Sequence, residues 1–510
     1  MVRCFAVSST DRRPVVVGVA QLVQRDAELA EALDPLTMLE KMAREAADEC
    51  GAGVRALGAL DTIAVVPVAG WKCVNPPRAL AEALSARPSR EIVCGVGGEF
   101  PVAMFNELAS RIAAGRSQVA LMAGCNNLKT LRRCSQQGVK PDWNTQLRRP
   151  GLPEEFGKTL PGASERERHY GLAMPTEIYP IFENALRATW KLDLEEHRVR
   201  MGKLFHPFTQ VAAANPYAWF PVERGAEELT TVAPENRMVG FPYTKYLNAV
   251  LDTDQASAVL LMAEGQARQF GVAEEDWVYW RGGASAVEEA WWASERPDHG
   301  ACPAMKTSQL RALERASVGL DAIDRFDLYS CFPAAVGMAC EMLGLAIDDA
   351  RGLTVTGGLP YFGGPANNYT THALAQMVTE LREGRGTNGL VTGNGWYLTK
   401  HAASVLSTLP PEGELQPAGA AAPVAGLPTA PVEVIEAANG RASVETYTVL
   451  YGRDQQPERG IVVGRLEDGR RFLANTREDR DLLEAFAAQE AVGRVGAVRH
   501  HDGRNVFDPV

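Results

Sequence analysis

The chain has 510 residues, 46% of them hydrophobic and 23% charged, a balance that fills large cores and excludes a disordered polymer. Lys and Arg number 52 against 63 Asp and Glu, so a formal charge of -11 leaves no basic field for a nucleic-acid backbone. Nine scattered cysteines without metal-finger spacing predict a reducing cytoplasm and no structural zinc, and neither a secretion signal nor an apolar run of about 20 residues is visible.

In chain order, short apolar runs alternate with helical periodicity: Val15–Ala20, Pro35–Cys50, Leu60–Val68 and Pro77–Leu84. That alternation predicts an α/β fold. The strand Glu91–Val96 leads into a Gly-rich corner and a helix with Val102, Phe105, Leu108, Ala109 and Ile112 at 3/4 spacing, ending at Gly115. An apolar strand, Val119–Ala123, follows. Aligned at an offset of 269, IAAGRSQVALMAGCN meets LREGRGTNGLVTGNG and shares Gly115/Gly384, Arg116/Arg385, Leu121/Leu390 and Gly124/Gly393, which predicts an internal duplication.

Residues 126–235 lose strand periodicity and read as an inserted region, of the kind that carries binding function or a lid. Residues 1–125 and 236–270 are expected to form one half of the core, with a strand at Ala256–Met262. Residues 271–408 form the other, with a strand at Asp324–Ser330 and a helix at Pro333–Leu343. A Pro-rich linker occupies 409–431. Alternating strands, Asp-Gly turns at 468–469 and 502–503, and one short helix around Leu482–Phe486 then predict a small barrel of the oligonucleotide/oligosaccharide-binding (OB) type over 432–510.

ELASRIAAGRSQVALMAG, DLYSCFPAAVGMACEMLGL and GGLPYFGGPANNY, in this order, resemble a thiolase of the sterol-carrier-protein-X type over about residues 10–405. With the linker and barrel, the chain resembles the bacterial thiolase-like proteins with an additional C-terminal domain. The resemblance implies a duplicated five-layer αβαβα core and coenzyme A as substrate or ligand, with no tightly bound cofactor, no metal, no nucleic-acid or membrane partner, and a homodimer left open.

The catalytic motifs depart from that family. Its nucleophilic cysteine falls on Gly98, its Gly-His-Pro histidine on Gly364, its strand-motif histidine on Tyr329, and its second cysteine near Val391. Glycine cannot supply a thiolate, so the covalent route is expected to be absent. Tyr329 and His372 are the acid/base candidates, with Asn368 to orient a carbonyl and Cys331 at the family's strand cysteine. Gly98, Gly364, Gly393 and Asn394 are expected to line the substrate site. The competing readings of Tyr329, His372 and Cys331 are packed core residues, and Cys94 and Cys125 read as buried thiols. Lys129–Cys134 with Arg148 and Arg149 offers either phosphate contacts or a solvated surface. The glycines of GVGGEF lack the acidic partner that NAD binding needs, and His500 and His501 read as turn residues.

Three functions follow: acyl-CoA processing of the acetyltransferase type without a covalent cysteine, retro-aldol cleavage of a β-hydroxyacyl-CoA with tyrosine taking the hydroxyl proton, or a binding module without chemistry.

Overall fold

The computed structural model describes residues 10–419 and 430–509. Cys4 and prolines 423 and 428 lie outside them. The core is a ten-stranded sheet, ordered from one edge as Arg325–Asp327, Asn388–Gly395, Lys400–Ser407, Val278–Val287, Pro14–Val23, Asp254–Ala263, Val119–Asn127, Thr62–Val65, Arg90–Cys94 and Glu154–Phe156. Its two halves join where Val15 and Val16 pair antiparallel with Tyr279 and Val278. Val119–Asn127 is buried at every position, as expected of a strand covered on both faces.

The duplication is visible in the elements themselves. Helix Phe100–Ala113 and helix Tyr369–Arg382 have the same length and stand 269 residues apart. The first follows the strand Arg90–Cys94 and the second a 3-10 turn, Ala366–Asn368, and each ends before a left-handed glycine, Gly115 at φ 70° and Gly384 at φ 71°. The two helices touch each other between the halves. Helix Phe100–Ala113 packs on Val278–Val287 and Lys400–Ser407, helix Tyr369–Arg382 on Pro14–Val23 and Asp254–Ala263. This makes them the middle of five layers. Their N-termini meet at the centre of the molecule.

The inserted region is helical, with Pro175–Thr189 and Leu194–Ala214 its longest elements, and it is not wholly outside the core. Glu154–Phe156 pairs parallel with Ile92–Cys94 and becomes the outermost strand at that edge. The Asp324–Ser330 strand shortens to Arg325–Asp327, because the Asp327 carboxylate then accepts from Thr354, Val355, Thr356 and Tyr369 and turns the chain out of the sheet.

The C-terminal strands Gly440–Tyr451, Pro457–Leu466, Arg471–Thr476, Arg504–Pro509 and Val495–His501 close into a five-stranded barrel in that order, with Arg471–Thr476 and Arg504–Pro509 parallel and one helix, Arg480–Ala488, between the third and fourth strands in sequence. Tyr447, Val449, Phe472, Phe486 and Phe507 fill it. The barrel is docked as well as tethered. Leu450 pairs with Gly240, Asn184 Nδ2 donates to the Tyr447 carbonyl at 2.9 Å, and the fully buried Arg471 donates to the Ser294 carbonyl at 3.1 Å and to Glu445 Oε2 at 2.9 Å. Residues 238–244 therefore join the barrel's sheet and do not extend the first core half. The linker runs mostly exposed over 409–419 but is anchored near its described end: Ala418 is buried and its N donates to Ser110 Oγ at 3.0 Å. No described helix is long and apolar enough to cross a membrane.

Candidate functional site

Gly98 stands immediately before the N-cap of helix Phe100–Ala113, where backbone N–H groups are free of intrahelical partners. A Cβ built there would overlap the Tyr329 hydroxyl, standing 2.6 Å from Tyr329 Cζ and 2.7 Å from the Asn394 carbonyl oxygen. Tyr329 thus occupies the space that a side chain at position 98 would need. The residual void among Tyr329, Thr392, Gly393 and Asn394 is about 10 Å³, room for about one water and not for an acyl group.

The helix N-termini interlock through the duplicated glycines. Gly393 admits the first helix, with a Cβ there standing 2.8 Å from Glu99 Cα. Gly124 admits the second, where a Cβ would stand 2.6 Å from Asn368 Cγ. Glu99 and Asn368 are the N-cap residues of the two helices and are themselves 269 apart. Thr370 Oγ1 donates to the Gly98 carbonyl at 2.8 Å, and Gly97 N donates to Asn367 Oδ1 at 2.9 Å. Gly364 lies away from this junction, near the Val250 carbonyl.

The sequence candidates separate into two groups. Tyr329, Gly98, Gly393, Asn394 and Cys331 converge: Asn394 Nδ2 donates to the Tyr179 hydroxyl at 2.8 Å, and Tyr179 stacks on Phe332 at 4.4 Å. His372 does not join them. Its Nδ1 lies 2.9 Å from Gln21 Oε1 on the sheet, it is fully buried, and burial drives its pKa down to about 3, so it stays neutral. Asn368 Nδ2 donates to Ser257 Oγ at 3.1 Å, on the sheet side as well.

Titration within the first group runs against proton acceptance by the tyrosine. Burial, then the neighbouring Cys331 and Glu99, push the Tyr329 phenol well above its usual range. It can donate a hydrogen bond but cannot act as a phenolate base near neutral pH. Burial likewise raises Cys331 to about 12 and Cys94 further, which keeps both as thiols.

A buried ion pair adjoins Gly98, and the sequence reading missed it. Lys400 Nζ lies 2.6 Å from Glu99 Oε1, both side chains almost fully enclosed, and donates to the Val96 carbonyl at 2.9 Å while sitting 4.1 Å over the Phe100 ring. Glu99 Oε2 has no hydrogen-bond partner. Desolvation raises the Glu99 pKa against the pull of Lys400. The pair was hidden by a separation of about 300 residues, yet the offset of 269, carried from the glycine pairs to Asn368, maps it onto Glu99.

Among the described residues, Glu288, Cys302 and His401 are the one group close enough to share a metal ion. Their donor atoms are already engaged. Glu288 accepts from Ala304 N at 2.8 Å and pairs with Arg296, the Cys302 thiol lies 3.2 Å from His401 Nε2, and burial holds the thiol protonated. The set is a hydrogen-bonded core network. Within the basic cluster the Arg132 guanidinium pairs with Asp252, Arg133 donates to the Ala27 carbonyl at 2.7 Å and Arg149 lies 3.8 Å from Glu82.

Residues 423–504 match the family model described as the thiolase-like protein type 1 additional C-terminal domain. A solved structure of a monomeric SCP2-thiolase like protein type 1 from Mycobacterium smegmatis is 35% identical, covers 98% of this chain and 100% of its own, and superposes with a TM-score of 0.82. The chain belongs to the SCP2-thiolase-like protein type 1 family. A 3-ketoacyl-CoA thiolase of Salmonella heidelberg (strain SL476) is 32% identical over 155 residues, 28% of this chain. Against such curated relatives the SCP2-thiolase-like chain spans about a third of their length (33%). The Ltp2-ChsH2(DUF35) aldolase matches 78% of it at 15% identity and a TM-score of 0.56, covering 98% of that chain, a likeness of fold alone.

Proposed function

We propose that this SCP2-thiolase-like protein binds a coenzyme A thioester and processes the acyl group without a covalent cysteine intermediate. The observation that carries this reading is Tyr329 in the space of a side chain at Gly98. Acyl capture needs a thiolate at the helix N-terminus, and the three nearest requirements are absent: position 98 has no side chain, Cys331 is held protonated, and His372 faces Gln21. What the neighbouring cavity offers is a carboxylate, Glu99, that accepts, an element of proton transfer around a carbonyl.

A second reading is favoured by Glu99 specifically. Retro-aldol cleavage of a β-hydroxyacyl-CoA requires a base for the hydroxyl proton and a donor for the thioester oxygen as enolate character develops. Glu99 lines the neighbouring cavity and suits the first role, while the Tyr329 phenol, protonated and packed against Gly98, is not the base that sequence reasoning made it.

Intact-protein mass spectrometry after incubation with acetyl-CoA and acetoacetyl-CoA, beside calorimetric titration with coenzyme A, tests the proposal. Saturable binding with no acyl adduct is expected. An adduct on any cysteine, or no binding of coenzyme A or its thioesters, refutes it. Aldehyde or ketone release from a β-hydroxyacyl-CoA separates the second reading from the first.

A further inference from the structure

The centre beside Gly98 has no room for an acyl group, but the far side of the same helix N-terminus does. A cavity of about 510 Å³, within the range of small-molecule sites, opens there. Its walls come from four separate parts of the chain. Phe100 and Ala103 belong to the first duplicated helix, Phe156 and Leu160 to the inserted region, Ala286 and Trp291 to the second half and its exit, and Ala418 and Gly419 to the linker. Phe100 meets Phe156 edge-on at 6.3 Å, and Gly157, at φ 81°, lets the chain pass against the Phe100 ring where any Cβ would overlap it. Trp291 is fixed by its indole N–H, which donates to the Pro161 carbonyl at 2.8 Å. The linker wall is held by Ala418 N on Ser110 Oγ and by Arg315 on the Ala418 carbonyl.

Glu99, Lys400 and His401 line this space by the helix N-terminus, and Glu107, Lys158 and Ser285 add polar groups elsewhere on its wall. Lys400 has its carboxylate and carbonyl partners. Glu99 has spare accepting capacity, since its Oε2 is enclosed and unpartnered. A buried acceptor left unmade costs free energy that a ligand's donor would recover.

The geometry points to this cavity as the binding site for a medium-length acyl group bearing a hydroxyl near its thioester end, the hydroxyl donating to Glu99 and the chain lying against Phe100, Phe156 and Trp291. This rests on the thioester reading above for the class of ligand, so the test uses a probe that lacks the nucleotide. The N-acetylcysteamine thioesters of 3-hydroxyoctanoate and of octanoate are titrated calorimetrically into the full chain, into Ala103→Phe, which fills the cavity from the helix, and into Leu160→Trp, which fills it from an exposed loop position that tolerates change. Thermal melts verify folding of each.

The expected result is that the hydroxylated probe binds the unmodified protein about tenfold or more tighter than its unsubstituted counterpart, as for a hydrogen bond to a charged acceptor. Both fillings should weaken it by about tenfold or more. No binding, equal binding of the two probes, or undiminished binding to a folded filled variant overturns the assignment. Titration with coenzyme A alone, which the fillings should leave unchanged, reports separately on the thioester reading, so that either can fail without the other.

Discussion

Adding one methyl group at Gly98 measures how tightly the site is closed. In Gly98→Ala the new Cβ meets two atoms of different kinds, the Tyr329 ring and hydroxyl, which can be removed, and the Asn394 carbonyl oxygen, which cannot. Overpacking of this sort costs about 1–3 kcal/mol, and the part due to Tyr329 is directly separable. In a Tyr329→Ala background the ring clash is gone while the carbonyl contact remains, so Gly98→Ala should still destabilise, but by less. Residues in contact couple by about 0.5–3 kcal/mol, and we expect at least about 1 kcal/mol here because the phenol presents both Cζ and its oxygen. The assay is a double-mutant cycle by urea unfolding of the four proteins. If Gly98→Ala costs the same with and without the tyrosine ring, Tyr329 does not fill the space at position 98, and the reason given for the absence of covalent chemistry falls with it.

His372 and His401 are both buried and neutral, with pKa values near 3 against about 6.5 when unfolded. A base whose folded pKa is depressed leaves the unfolded chain binding more protons. Their contribution is therefore complete above pH 6.5 and lost as pH falls toward 3, at up to about 1.4 kcal/mol per pH unit for each. Denaturation from pH 7 to 4 should show this, and a His372→Gln chain with an unchanged acid slope would contradict it. Breaking the buried pair by Lys400→Met should destabilise by about 3–5 kcal/mol, and adding Glu99→Gln should restore much of that, because an unpaired buried charge costs more than the absence of both; equal stability of the single and double variants would refute this. Light scattering should give the mass of a single chain, 55.2 kDa, and a mass of twice that would refute it.

Local chemistry made much of the fold legible. Pro35–Cys50, Pro333–Leu343 and the barrel hairpins were readable because their periodicities and turn residues are set within a few positions. The duplication was readable because Gly115 and Gly124 serve the same turn and the same close approach as Gly384 and Gly393. What stayed hidden depends on contacts between distant residues. EEF at 154–156 is too short and too acidic to read as a strand, and becomes one only against Ile92–Cys94. His372 looked poised for chemistry until Gln21, 351 residues away, was seen to hold it. Lys400 read as one lysine among many because Glu99 is distant in sequence but adjacent in space.

The strand Glu154–Phe156 has a consequence for how the molecule can be altered. An open sheet edge invites a second copy to add its own strand, and a fold assembled that way can borrow side chains from its neighbour. Here the inserted region spends three residues on that edge, and the same passage continues through Gly157 into the wall beside Phe100. Extending the edge and shaping the cavity are one structural act. A change in the inserted region therefore alters the cavity wall and the outermost strand of the sheet together.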